Sequence, residues 1–219
     1  MKRALVCLGL LLTAGPAIAS DIPRMDSGID KLSHAWAHIN FELKDKAAQG
    51  VEAEQLARQA KRLAQQYPSR AEPLVWEAII TATEAGAKGG MGALGLAKDA
   101  KALLEQAEKI NPNALDDGSV YTSLGSLYAQ VPGFPIGFGD PKKARHYLEL
   151  AVAAHPDSID ANYFYGDFLV RQGDNAGAVR ALKHALNAPA RAGREVEDHG
   201  RRSDARTLLA KAQAKLDGK

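Results

Sequence analysis

The sequence predicts an all-α protein built from stacked helical hairpins, and three observations carry that prediction. First, two stretches between Gly118 and Pro189 repeat one pattern. In the first copy Tyr121, Leu124, Gly125 and Tyr128 fall on one helix, and Ala144, Leu148 and Ala151 fall on the next, with Pro156 beyond. In the second, Asn162, Tyr165, Gly166 and Leu169 take the same offsets, followed by Ala178, Leu182, Ala185 and then Pro189. The copies superimpose once seven extra residues are placed in the first copy's turn. Second, apolar residues elsewhere recur at helical spacing. Third, the composition is rich in Ala, Leu, Lys and Glu, with only 6% aromatic residues, which favours helices throughout.

Each repeated residue has a mechanical reason. Glycine inside a helix costs about 1 kcal/mol relative to alanine, so Gly125 and Gly166 mark places where two helices approach too closely for a side chain. Ala144, Ala151, Ala178 and Ala185 fit the facing helix for the same reason. Leu124, Tyr128, Leu148, Tyr165, Leu169 and Leu182 fill the space between. One hairpin cannot bury its own apolar face, so further copies are expected upstream.

In chain order, residues 1–19 read as a signal peptide: Lys2 and Arg3, an apolar run from Ala4 to Thr13, then Ala17-Ile18-Ala19 as a small-x-small cleavage site. Cleavage near Ala19 would place the mature chain in the periplasm or outside the cell. The run is too short for a bilayer span, and no span is expected in the mature chain. The only cysteine, Cys7, lies in this segment, so no thiol chemistry is expected of the remainder. Of 28 basic residues, Lys2 and Arg3 also fall there, leaving 26 against 26 acidic ones. That balance speaks against nucleic acid as a partner.

Residues 20–28 are expected to be an extended leader, with Pro23 and Gly28 as breakers. A degenerate first hairpin spans 29–68. Its first helix, from Ile29 to about Ala47, carries Leu32, Ala35, Trp36, Ile39 and Leu43, and Gly50 ends it. Its second, Val51 to Gln66, carries Leu56, Ala60 and Leu63 and stops at Pro68. Three repeat-like units then cover 71–189, near 71–114, 118–158 and 159–189. In the first of these Leu74, Ala78 and Thr81, then Ala100, Leu104 and Ala107, take the repeat offsets. Ten extra residues must fit its turn, a glycine-rich loop around Ala85 to Leu96. No strand precedes that loop and no Gly-Lys-Ser/Thr closes it, so it is no phosphate loop. The other long turn, Val131 to Pro141, is unusually apolar. Phe134, Ile136 and Phe138 either tuck onto the glycine-rich loop and cover the edge, or form with it one wall of a pocket. Residues 190–202 read as a polar linker in which Arg191, Arg194, Arg201 and Arg202 pair locally with Glu195, Glu197 and Asp198, with an anion site as the alternative. Ser203 would then cap a last amphipathic helix, 203–217, that closes the stack.

The pattern resembles the tetratricopeptide repeat, a helix-turn-helix unit with a large-apolar, Leu-Gly, aromatic series on its first helix and small residues on its second. The resemblance implies a right-handed solenoid whose first helices line a concave groove that binds proteins or peptides, with no activity of its own. At the groove offsets stand Val75 and Ile79, then Thr122 and Ser126, then Asp160, Tyr163 and Asp167, so the groove would grade from apolar to hydroxylic to acidic. Chaperone-binding members hold a peptide carboxylate with basic residues at such positions. Here those positions lack them, and the acidic end suggests a cationic or polar ligand group. A narrower resemblance, to exported helical-repeat components associated with tripartite ATP-independent periplasmic transporters, rests on Tyr121 to Tyr128, the long turn ending at Gly139-Asp140-Pro141, and Lys142 to Ala154. It implies a transporter component as partner, or a small apolar ligand under the two long loops.

Catalysis has little support. His34 and His38 share a helical face, but two histidines do not make a metal site, and no cofactor is expected. No Gly-x-Ser-x-Gly elbow is present. Asp160 and Asp167 share a face without a recognisable acid–base partner.

Overall fold

The computed structural model describes residues 17–218. Among them the chain forms α1 (Ala17–Ala37), a π-helical turn (His38–Glu42), α2 (Lys46–Gln66), α3 (Ala71–Lys88), α4 (Gly90–Ile110), a short 3-10 turn (Ala114–Asp116), α5 (Ser119–Gln130), α6 (Pro141–Ala154), α7 (Ile159–Arg171), α8 (Asn175–Asn187) and α9 (Glu195–Leu216). Adjacent helices pack as antiparallel hairpins into an all-α solenoid of the expected kind.

Leucine–glycine contacts set the spacing within the hairpins. A Cβ at Gly125 would lie 2.6 Å from Leu148 Cγ, and one at Gly166 would lie 2.7 Å from Leu182 Cγ. Both leucines are fully buried. In the α3–α4 hairpin Ala78 stands at the glycine offset and is buried in one cluster with Leu104. Three apolar clusters run along the stack, one joining α1, α2 and α3, one centred on α3, α4 and α5, and one filling the space from α5 to α9.

Local chemistry explains several helix starts. Asp140 accepts from Lys142 N and Lys143 N ahead of Pro141 at the first helical turn, and Ser158 and Asp174 cap α7 and α8 in the same manner. Asp45 caps α2 through Ala47 N and Ala48 N.

Four expectations are corrected. The leader is helical: α1 runs through Pro23 and Gly28, because Met25 extends the buried stripe of Ile29, Leu32 and Trp36 by one turn. Gly28 is a packing residue, since a Cβ there would meet Leu63 Cδ1 at 2.8 Å. The first helix also stops earlier than expected, at the π-helical turn, and Gly50 lies buried inside α2. There is no glycine-rich loop. Gly89 and Gly90, at φ of 62° and 67°, make the whole turn between α3 and α4, and Gly86, Gly92 and Gly95 lie within the two helices. Finally, α9 begins at Glu195, so Ser203 lies inside it and most of the expected linker is helix. The proposed signal residues Lys2 to Thr13 lie outside the described residues; Ala17, Ile18 and Ala19 fall in the first turn of α1.

Candidate functional site

The inner helices of the stack are α3, α5 and α7, and α9 follows them as the next inner helix. Its second half packs on α8 through Ala205, Leu208, Leu209 and Ala212. Its first half crosses the concave side and reaches α1 and the π-helical turn. Gly200 allows this, because a Cβ there would run into the ring of Phe41. The turn before α9 is tied to α1 as well, where His34 Nε2 lies 2.6 Å from the Gly193 carbonyl. The face shared by α3, α5 and α7 is therefore covered on one side by the chain's own C-terminal segment.

Arginines make that closure. Arg201 is 7% exposed. Its Nε donates to Asp160 Oδ1 at 2.7 Å, and its guanidinium lies 4.6, 4.8 and 5.3 Å from the ring centroids of Tyr163, Phe164 and Phe41. Arg191 Nη1 donates to Asp160 Oδ2 at 2.9 Å and its Nε to Asp198 Oδ1 at 2.7 Å. Arg194 lies over the ring of Trp76 at 5.6 Å and pairs with Glu197 at 3.2 Å and Asp117 at 3.5 Å.

The charges shift one another's titration. Burial alone would raise Asp160, but Arg201 and Arg191 outweigh it and hold the carboxyl at about 2. Burial, then the charge of Asp160, push Glu197 up to about 7 against the pull of Arg194, Arg191 and Arg201. Burial also raises Asp117, although Ser119 donates its backbone N–H to it at 2.9 Å.

Beside α9 a cavity of about 280 Å³ remains open to solvent. Trp36, Trp76, Ile79 and Leu104 supply its apolar wall, Ser119, Thr122, Ser123 and Ser126 a row of hydroxyls along α5, and Asp117, Asp160, Arg194, Glu197 and Arg201 its charged end. Four of the seven groove residues read from sequence, Ile79, Thr122, Ser126 and Asp160, are brought together here. Val75 is fully buried in the core instead. Tyr163 packs under Arg201, and Asp167 pairs with Arg171 at 2.8 Å on its own helix. The cavity wall holds both apolar and hydroxyl-bearing residues, and its carboxylates Asp117 and Asp160 are paired with arginines.

Two of the three apolar residues of the long turn do not pack on a neighbouring element. Phe134 is 95% and Ile136 69% exposed. Phe138 alone packs, edge-on to Tyr128 with centroids 5.7 Å apart. The turn is held by Gly139 N donating to Pro132 O at 2.9 Å and Asp140 N to Tyr128 O at 3.0 Å. None of the three apolar residues lines the central cavity. His34 and His38 are engaged separately, since His38 Nδ1 lies 2.6 Å from Glu42 Oε2. The role of Arg191, Arg194 and Arg201 escaped the sequence reading, because they lie past the last repeat and their partners include residues as distant in sequence as Asp117, Trp76 and Phe41. Their clustering with acids was the available signal.

Among the described residues no helix is long and apolar enough to cross a membrane. Residues 136–198, which include α6, α7 and α8, match the family model of the tetratricopeptide repeat. No curated protein matches the chain.

Proposed function

We propose that this chain, whose residues 136–198 match the tetratricopeptide-repeat family model, is a non-catalytic scaffold that binds a protein or peptide on its concave face. The observation that carries the reading is the half-open cavity on that face, where hydroxyls of α5 lead from an apolar wall to a charged end. Such a surface offers hydrogen bonds and apolar contact to an extended or helical segment. Export to the periplasm or beyond, supported by the signal-like pattern of residues 1–19, belongs to the same reading. So does a transporter component as the partner, for which the turn ending at Asp140-Pro141 is the support.

Site-specific photo-crosslinking in the producing cell tests it. A photoreactive residue in place of Ser126, in the cavity wall, is expected to give protein adducts that one in place of the exposed Lys109 does not. Equal labelling at both positions, or none at 126, would contradict the reading.

A further inference from the structure

The last helix shows what the concave face accepts. Every cation paired with Asp117 or Asp160 among the described residues comes from one segment past the last repeat, through Arg191, Arg194 and Arg201. Without that segment, the face would present two unpaired carboxylates among the rings of Phe41, Trp76, Tyr163 and Phe164. That is a surface complementary to guanidinium groups. A planar guanidinium stacks on an aromatic ring and forks to a carboxylate at once, whereas a lysine ammonium does neither as well. The open cavity is continuous with this face, since Trp76, Asp117 and Asp160 line it too. An incoming segment therefore has a foothold along Ser123 and Ser126 before α9 has to move.

Resting on the scaffold reading above, we propose that residues 190–203 are a self-ligand holding the concave face shut, and that the protein partner competes for that face with an arginine-bearing helical segment. Binding and release of α9 are then one equilibrium, and anything that weakens the hold of α9 raises the apparent affinity for the partner.

The probe is a fluorescein-labelled peptide of this chain's own residues 190–204, added to the full chain and followed by anisotropy. The Arg201→Ala chain is expected to bind it at least about tenfold tighter than the wild type, since its own segment competes less. The same peptide with its arginines changed to lysine is expected to bind about tenfold more weakly. Equal affinity in wild type and a folded Arg201→Ala chain, checked by far-UV circular dichroism, overturns the proposal. Because Arg201→Ala can itself unfold the chain, hydrogen exchange of the wild type is the second readout. Saturating peptide is expected to speed exchange over residues 195–203 and leave 97–107 unchanged; no change at 195–203 overturns the proposal. Protein adducts at position 126 with no release of 195–203 would keep the scaffold reading and remove only this one.

Discussion

Arg201 Nε donates to Asp160 Oδ1 at 2.7 Å, joining the second turn of α9 to the first turn of α7 across 41 residues of sequence. Asp160 also accepts from Arg191, so one carboxylate holds two guanidiniums. Breaking a buried pair by removing one charge leaves the other desolvated without compensation. Asp160→Asn keeps the shape and removes the charge. It is expected to destabilise the chain by about 3 kcal/mol, read from urea unfolding.

The same cluster makes stability depend on pH from both sides. Asp160 is held at about 2, below its ordinary 3.8, so its contribution is complete above pH 3.8 and is lost as pH falls toward 2. Glu197 is raised from 4.5 to about 7, so its protonated form favours the fold below pH 4.5 and that contribution is lost as pH rises through 7. Each effect is worth roughly 2–4 kcal/mol at its limit. Thermal unfolding is therefore expected to peak between about pH 4 and 5 on the linkage rule. Glu197→Gln should flatten the alkaline side, raising the midpoint at pH 8 relative to wild type.

Glycine-to-alanine changes are expected to have opposite signs in different helices. At Gly125 or Gly166 the added Cβ would meet a fully buried leucine at 2.6 or 2.7 Å. Overpacking should cost about 1–3 kcal/mol, more than the helix propensity gained. At Gly92 or Gly95, exposed on α4, a Cβ meets nothing within 4 Å. There alanine should stabilise by about 0.5–1 kcal/mol. Denaturation midpoints of the four single variants check the contrast.

The long turn separates in the same way. Phe134→Ser should change stability by less than about 0.5 kcal/mol, because the ring is already in solvent. Phe138→Ala should cost about 2 kcal/mol through its lost edge contact with Tyr128. Chemical denaturation of the two variants measures the difference.

What the sequence revealed and what it hid follow from the range of the interactions. The Gly125 and Gly166 offsets report a contact with a leucine on the neighbouring helix, and their 41-residue repeat made the hairpins legible. Gly28 makes a similar contact with Leu63, but it has no matching offset in the repeat and reads as a breaker. The glycines between 86 and 95 suggest a loop because propensity opposes helix there. Tertiary packing of α3 on α4 overrides it, leaving only Gly89 and Gly90 as the turn. Thr122, Ser126 and Asp160, which line the cavity, stand at offsets that the repeat pattern singles out. Their occupant was not legible, because the reach of α9 across the face depends on helix length and on Gly200 admitting Phe41.

The closure of the concave face by α9 is tested most directly by hydrogen–deuterium exchange over residues 195–203 in the full chain and in its Asp160→Asn variant. Slow exchange in the wild type, faster by about tenfold or more in the variant while residues 97–107 stay unchanged, is the predicted result. Exchange over 195–203 that is as fast as in a free peptide, or the same in both chains, would contradict it.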